Sequence, residues 1–336
     1  MFLVQGRIHH SHSFFPGQMD AYIQTLLAQT DCIATLKGLP LSTTANILHI
    51  AAATGNMDCV FWLLQQGFSW NTMHDGRSVG EVCMQHGHFD LYSALIAEGV
   101  RAELLLTMVG QTFADEKLVL DKQISNQRYL ESRLVYTDDR VLDADGNAVM
   151  MGWEAPLMKF HADQICKSGS KVLNVGFGLG IIDNFIQQNS PSHHTIIEAH
   201  PDVYAKMIQD GWDKKQNVRI LFGRWQDMLE SLESYDGIFF DTFGEFYDDL
   251  KEFNDIVPNI LNTNGVYSFF NGLAGTNQFF HDVACSIVEV DLNDCEMQVD
   301  YQVVDMEELG DEVWQGTRRA YWNLPQYRLP IVRFRL

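Results

Sequence analysis

Apolar positions follow two different spacings along this chain, and the change between them divides it. From residue 171 onward, short apolar runs alternate with segments of helical spacing: KVLNVGFG, IIDNFIQQ, HTIIEAH, PDVYAKMIQDGW, VRILFG, YDGIFFDTF, DIVPNILNTNG and VYSFFNG. Strands and helices alternating this closely predict βαβ units. They imply an α/β domain whose parallel sheet carries helices on both faces, with a site at the carboxyl ends of the strands.

Before residue 110 the spacing is helical, and the chain repeats itself. ANILHIAAATGNMDCVFWLLQQG (45–67) aligns with RSVGEVCMQHGHFDLYSALIAEG (77–99), which puts Gly55 over Gly87 and Gly67 over Gly99 at a spacing of 32. That is near the ankyrin period, and LHIAAATGN resembles the start of an ankyrin repeat. In such a repeat Ala51 and Ala52 let two short helices pack closely, and Gly55 ends the first at a left-handed turn. Residues 20–40 have helical spacing and end with Gly38 and Pro40, as expected for a cap on the stack. The predicted organisation is an all-α ankyrin-like module over 1–110 and the α/β domain over 111–336. Residues 103–150 lead from one to the other through a helix and a hairpin turning at Asp145-Gly146.

Composition narrows the class. Of 336 residues, 46% are hydrophobic and 20% charged, so a packed core is expected and wholesale disorder is not. No apolar run is long enough to span a membrane, and the first residues lack the pattern of a secretory signal. Six cysteines without a C-x-x-C pair predict reduced thiols in a cytoplasmic or nuclear compartment. The histidines are scattered, and no metal site is expected. The net charge of −21 repels phosphate backbones, so no direct nucleic-acid contact is expected and a basic partner is. The acidity is concentrated: residues 1–110 hold 4 basic and 8 acidic side chains, the remainder 19 and 36. Arg318-Arg319, in so acidic a chain, are expected to form local ion pairs. The aromatic run Tyr247, Phe253, Tyr267, Phe269 and Phe270 is expected in the core.

The candidate chemistry begins at Gly176-Phe177-Gly178-Leu179-Gly180, between the apolar run KVLNV and a helix. Glycines there permit a tight turn and close approach of a ligand to the backbone. A dinucleotide fingerprint would need glycine at 181, where Ile181 stands, which disfavours a nicotinamide dehydrogenase. Glu198 ends the next predicted strand, 18 residues beyond Gly180, where a carboxylate can accept both hydroxyls of a ribose. Two further segments carry candidate chemistry: Met151-Gly152-Trp153-Glu154-Ala155-Pro156 ahead of the glycine loop, and the strand YDGIFFDTF with Asp241 after it.

Together, WEAP, VLNVGFG, IIE, GRWQD and FFDTF follow in order the pattern of guanidinoacetate methyltransferase, which the chain resembles. A closer resemblance, over nearly the whole chain, is to the fungal type IV protein arginine methyltransferases. It is carried by GFGLGIID, EAHPDV, GRWQD, FFDTF, SFFNGL and RRAYWNLPQYRLP. The resemblance implies a Rossmann-like S-adenosylmethionine methyltransferase sheet behind an ankyrin-like module. It further implies S-adenosyl-L-methionine as cofactor and the δ (N5) nitrogen of an arginine in a large-ribosomal-subunit protein as acceptor. Asp241, which the resemblance also places among the cofactor-binding residues, would clamp the guanidinium and accept its proton, with Glu154 as second clamp: that cation is planar, always charged and forked, so carboxylates on separate loops can hold it. Phe177, Gly178, Leu179, Gly180, Ile181 and Ile182 would wrap the methionine end and ribose of the cofactor. Glu198, Ala199 and His200 would line the nucleoside, and Trp225 and Gln226 would meet the adenine. Tyr129, Met150 and Met158 would close over it, while Trp153 is read as packing. Two alternatives stand beside this reading: an enzyme for a small guanidino compound, and a binding protein with an inactive methyltransferase domain.

Overall fold

The structure, a computed structural model, describes residues 47–112, 126–137, 139–243 and 247–335, with Ile33 ahead of them. It divides into two compact units, Met1–Glu103 and Leu104–Leu336. The cap expected at 20–40 lies, but for Ile33, outside the described residues.

In the first unit the paired repeats become paired helices, α1 (Ile47–Thr54) with α2 (Met57–Gln65), then α3 (Val79–Gln85) with the start of α4 (Phe89–Thr112). The expectation of an all-α module needs a correction. A hairpin, β1 (Met73–His74) with β2 (Arg77–Ser78), separates the pairs, because Asp75 and Gly76 adopt the left-handed backbone of a two-residue turn. Gly55 and Gly87 both have positive φ, as the repeat requires, and a side chain on Gly55 would strike the His88 ring. Ser78 and Glu81 cap α3 reciprocally. Cys83, Cys166, Cys285 and Cys295 are free thiols, but Cys59 is disulfide-bonded, against the expectation of a fully reduced set.

The second unit takes in the end of α4, then a helical turn at 126–131 and an antiparallel sheet of β3 (Val135–Tyr136), β4 (Arg140–Leu142) and β5 (Ala148–Met151). The Asp143 carboxylate accepts the Asp145 and Asn147 backbone N–H groups, which shapes the turn between β4 and β5. Next in the chain come α5 (Ala155–Ile165), β6 (Lys171–Val175), α6 (Ile181–Gln188), β7 (His193–Glu198), α7 (Pro201–Gln209), β8 (Val218–Phe222), β9 (Tyr235–Phe240), α8 (Tyr247–Ile260), β10 (Leu261–Phe269), α9 (Gln278–Asp294), β11 (Met297–Asp305) and β12 (Gln326–Phe334).

Seven strands form one sheet in the order β11-β12-β10-β9-β6-β7-β8. The strands from β10 to β8 are parallel, while β12 runs antiparallel to both β10 and β11. This is a doubly wound Rossmann-like sheet with an antiparallel hairpin at one edge. Alternation along the central strands assigns side chains to two cores. Leu173, Val175, Ile238 and Phe240 pack with α8 and α9 through Phe253, Val257, Val288 and Leu292. Val172 and Phe239 pack on the other face with Ala162 of α5 and Ile186 of α6. Burial on both faces explains why these strands read as continuous apolar runs. The aromatic run is core, as expected: Phe253, Tyr267 and Phe269 are fully buried, and Tyr247 and Phe270 are partly buried against the clusters.

Candidate active site

Parallel register brings four loops to one edge of the sheet. Val175 pairs with Phe240 and with Ile197, and Phe240 with Phe269, so the loops leaving these strands emerge at the same level. Each ladder continues one bond further: Gly176 N–H to Ile197 O, Asp241 N–H to Val175 O and Phe270 N–H to Phe240 O, at 2.9, 2.9 and 3.0 Å. Asp241 is thereby held against the glycine loop. The Asp241 carbonyl lies so close that a Cβ on Gly176 would stand 1.9 Å from it, and Gly176 has a φ of 95°. Only glycine satisfies both the approach and the backbone sign there.

Over this edge lies a concave pocket. Its position, where β6 has β7 on one side and β9 on the other, is the switch point of the sheet. Glu198 is buried in its wall. One carboxylate oxygen accepts the Phe177 N–H at 2.9 Å and the other the His200 N–H at 2.6 Å. Burial raises the Glu198 pKa, and backbone donors of His200, Phe177, Ala199 and Gly178 oppose the rise. The Nδ1 atom of His200 caps α7, and its Nε2 bonds the carbonyls of Tyr129 and Ser132 at 3.1 and 3.0 Å. Tyr129 packs between His200 and Phe243, which fixes the helical turn over the pocket.

The two candidate catalytic acids differ in access. Asp241 lines the pocket, whereas Glu154, 4% exposed, stands behind Tyr321, whose hydroxyl donates to Glu154 Oε1. Burial first, and then the charge of Asp241, push the Glu154 carboxyl up to about 8, against the stabilising Tyr321 hydroxyl and Met151 backbone bonds. Burial beside the Glu154 charge in turn raises the Tyr321 pKa well above its ordinary value. Tyr321 also lines a second, larger chamber that shares Asn126, Tyr129 and Phe243 with the first pocket. Asp241 thus lines the first space, and Glu154 is held by a residue of the second.

Of the residues singled out in the sequence, Tyr129, Met150, Gly178, Glu198, Ala199, Trp225, Gln226 and Asp241 line the pocket together. The others do not. Met158 and Ile182 lie in the core between α5, α6 and the sheet, with Ile181 packed against them. Phe177 turns away from the pocket onto Val203, Met207 and Trp212. Leu179 contributes its N–H, bonded to Met150 Sδ at 3.2 Å. Gly180 is the left-handed residue at the start of α6, its position crowded by the Phe177 ring. Trp153 packs on Trp314 and Tyr321, consistent with the packing read for it. Sequence reasoning missed Asn126, Leu130, Val149, Arg224, Thr242 and Phe243 in the lining. Thr242 and Phe243 come directly after Asp241, so the strand-end rule extended by two residues finds them. No local signal marks the others.

Fold and pocket together define the second unit as an α/β domain of the Rossmann-like kind with a ligand pocket at its switch point. A family model described as guanidinoacetate N-methyltransferase matches residues 125–287. The chain is 41% identical over 325 residues to protein arginine N-methyltransferase 2 of Cryptococcus neoformans, covering 86% of this chain and 85% of that one. It is 38% identical over 320 residues to the protein of that name from Aspergillus oryzae, with 82% and 77% covered. Against the Saccharomyces cerevisiae protein the figures are 35% over 341 residues, 89% and 81%. The chain belongs to the protein arginine N-methyltransferase 2 family, and its cofactor is S-adenosyl-L-methionine. The pocket fits that cofactor: a buried carboxylate in its wall suits the ribose diol, and the glycine loop opens backbone to it.

Proposed function

We propose that this protein methylates the δ (N5) guanidino nitrogen of an arginine in a basic protein, with a large-ribosomal-subunit protein as the natural substrate class. The observation that carries the reading is the acid pair. Asp241 lies at the wall of the cofactor pocket, and its charge acts on Glu154, which Tyr321 of the larger chamber holds. S-adenosylmethionine supplies an activated methyl group on a sulfonium centre. The chain's residues supply position and charge. A guanidinium entering from the chamber meets Asp241, and its positive charge lowers the Glu154 pKa, so that both acids ionise around it. The pair holds the fork of N–H donors and keeps the internal nitrogen facing the cofactor. Asp241 accepts the proton that the guanidinium, with its pKa above 12, releases as the nitrogen gains its methyl group. The acidity of the chain favours encounter with a basic protein surface.

A second reading, methylation of a small guanidino compound, draws support from the family model over residues 125–287. One experiment separates the two. The protein and Asp241→Asn are incubated with methyl-labelled S-adenosylmethionine and ribosome-rich extract, and the methylarginine isomers are resolved after total hydrolysis. Label in δ-N-methylarginine, lost in Asp241→Asn by about 100-fold or more, is expected. Label in ω-methylarginines only overturns the nitrogen assignment. Labelled guanidinoacetate with unlabelled protein establishes the second reading.

A further inference from the structure

Arg318 and Arg319 do not make the ion pairs expected of them. Both are exposed, both line the chamber next to the acid pair, and neither guanidinium has an ion-pair or hydrogen-bond partner among the described residues. The acids that share this lining are already engaged. Asp143 accepts the N–H groups of its own turn, and Asp145 pairs with Arg128 at 3.3 Å. In a chain with 23 basic and 44 acidic residues, two unpaired cations on one chamber wall are a local reversal of sign.

Their position is built. Arg140 donates from one nitrogen to the carbonyls of Val313 and Gln315, at 3.1 and 2.7 Å, and the Arg318 N–H bonds the Gly146 carbonyl at 2.7 Å. The strap carrying the two arginines is therefore pinned to the β4–β5 hairpin. Tyr321, two residues beyond Arg319 on the same strap and in the same lining, holds Glu154. Along the strap the chamber wall is positive, and the strap leads to Tyr321 and the Glu154 it holds.

Resting on the methyl-transfer reading above, we propose that Arg318 and Arg319 are specificity-determining residues. They bind a carboxylate of an Asp or Glu side chain lying within about two residues of the acceptor arginine. A peptide with its guanidinium on the acid pair and an acidic neighbour on the strap matches both signs. A lysine at that neighbouring position meets like charge and is rejected. The acidic surface as a whole favours a basic protein, while the strap selects which of its arginines can enter.

The test uses synthetic heptapeptides with one central arginine flanked at both second positions by Asp, Ala or Lys. Their affinity for the full chain saturated with S-adenosylhomocysteine is read by fluorescence anisotropy, and their methylation in parallel. The Asp peptide is expected to bind about five- to tenfold tighter than the Ala peptide, with the Lys peptide weakest, the difference shrinking at high salt. Arg318→Glu/Arg319→Glu inverts the order, and Arg318→Lys/Arg319→Lys retains a weakened acidic preference, which excludes misfolding as the cause. The same order in wild type and in the charge-reversed variant, or a wild-type preference for Lys, overturns the proposal. Binding in the expected order without methyl transfer counts against the methylation reading and leaves the carboxylate site standing.

Discussion

Replacing Glu154 by glutamine tests the electrostatics of the acid pair without altering its shape. Burial and the Asp241 charge raise the Glu154 carboxyl from 4.5 to about 8. A folded-state pKa above the unfolded one means the native state binds the extra proton. The associated stability is complete below about pH 4.5 and is lost as pH rises toward 8. At 1.36 kcal/mol per unit, the ionised acid costs the free enzyme up to about 5 kcal/mol by pH 8. A glutamine in its place mimics the protonated acid and still accepts the Tyr321 hydroxyl. Glu154→Gln is therefore expected to match wild type near pH 5 and to become more stable by about 1.4 kcal/mol per pH unit, levelling off above pH 8. Urea unfolding at pH 5, 6, 7, 8 and 9 measures this, and the difference between the two proteins cancels the titrating groups that do not interact with the acid pair. Binding of S-adenosylmethionine should survive, since Glu154 is outside the lining of its pocket, while methyl transfer falls by about 100-fold or more. A stability difference that does not vary with pH would refute the raised pKa, and with it the view that an arriving guanidinium drives the ionisation of this acid.

Three further outcomes rest on the same geometry. Gly176→Ala, which sets a Cβ against the Asp241 carbonyl at positive φ, should lower stability by about 2 kcal/mol or more and abolish cofactor binding, as read by melting with and without S-adenosylmethionine. Glu198→Gln should weaken the cofactor by about 10- to 100-fold in calorimetry, because acceptor bonds from a charged oxygen to the ribose are lost or misdirected. His161 is buried between Ser268 and Tyr327, and burial depresses its pKa from 6.5 to about 3. Its depressed value gives stability that is present above pH 6.5 and lost on acidification. Wild type should therefore lose about 2 kcal/mol more than His161→Gln between pH 7 and 5 in urea unfolding.

The sequence made legible whatever depends on neighbours along the chain. Alternating apolar runs specified strands and helices, because a segment's own pattern decides which face it can bury. The left-handed turns at Gly55 and Gly87, the turn at Asp145-Gly146, the glycine loop and the acid ending β7 were readable for the same reason. Where one residue acts by its own strand-end position, as with Glu198 and Asp241, its place in the site was readable too. Met158, Ile182 and Phe177 were misplaced because an apolar residue beside a loop reads alike whether it faces ligand or core.

Only the tertiary structure decided the long-range pairings. The order β9-β6-β7 sets strands distant in sequence edge to edge, and this brings Asp241 onto Gly176. The Tyr321 hydroxyl reaches Glu154 across 167 positions of sequence. The strap that leaves Arg318 and Arg319 unpaired on a chamber wall depends on Arg140 far upstream. Composition predicted ion pairs for those arginines, because in an acidic chain most cations find an acid. Whether these two did was a matter of which acids the fold had already committed elsewhere.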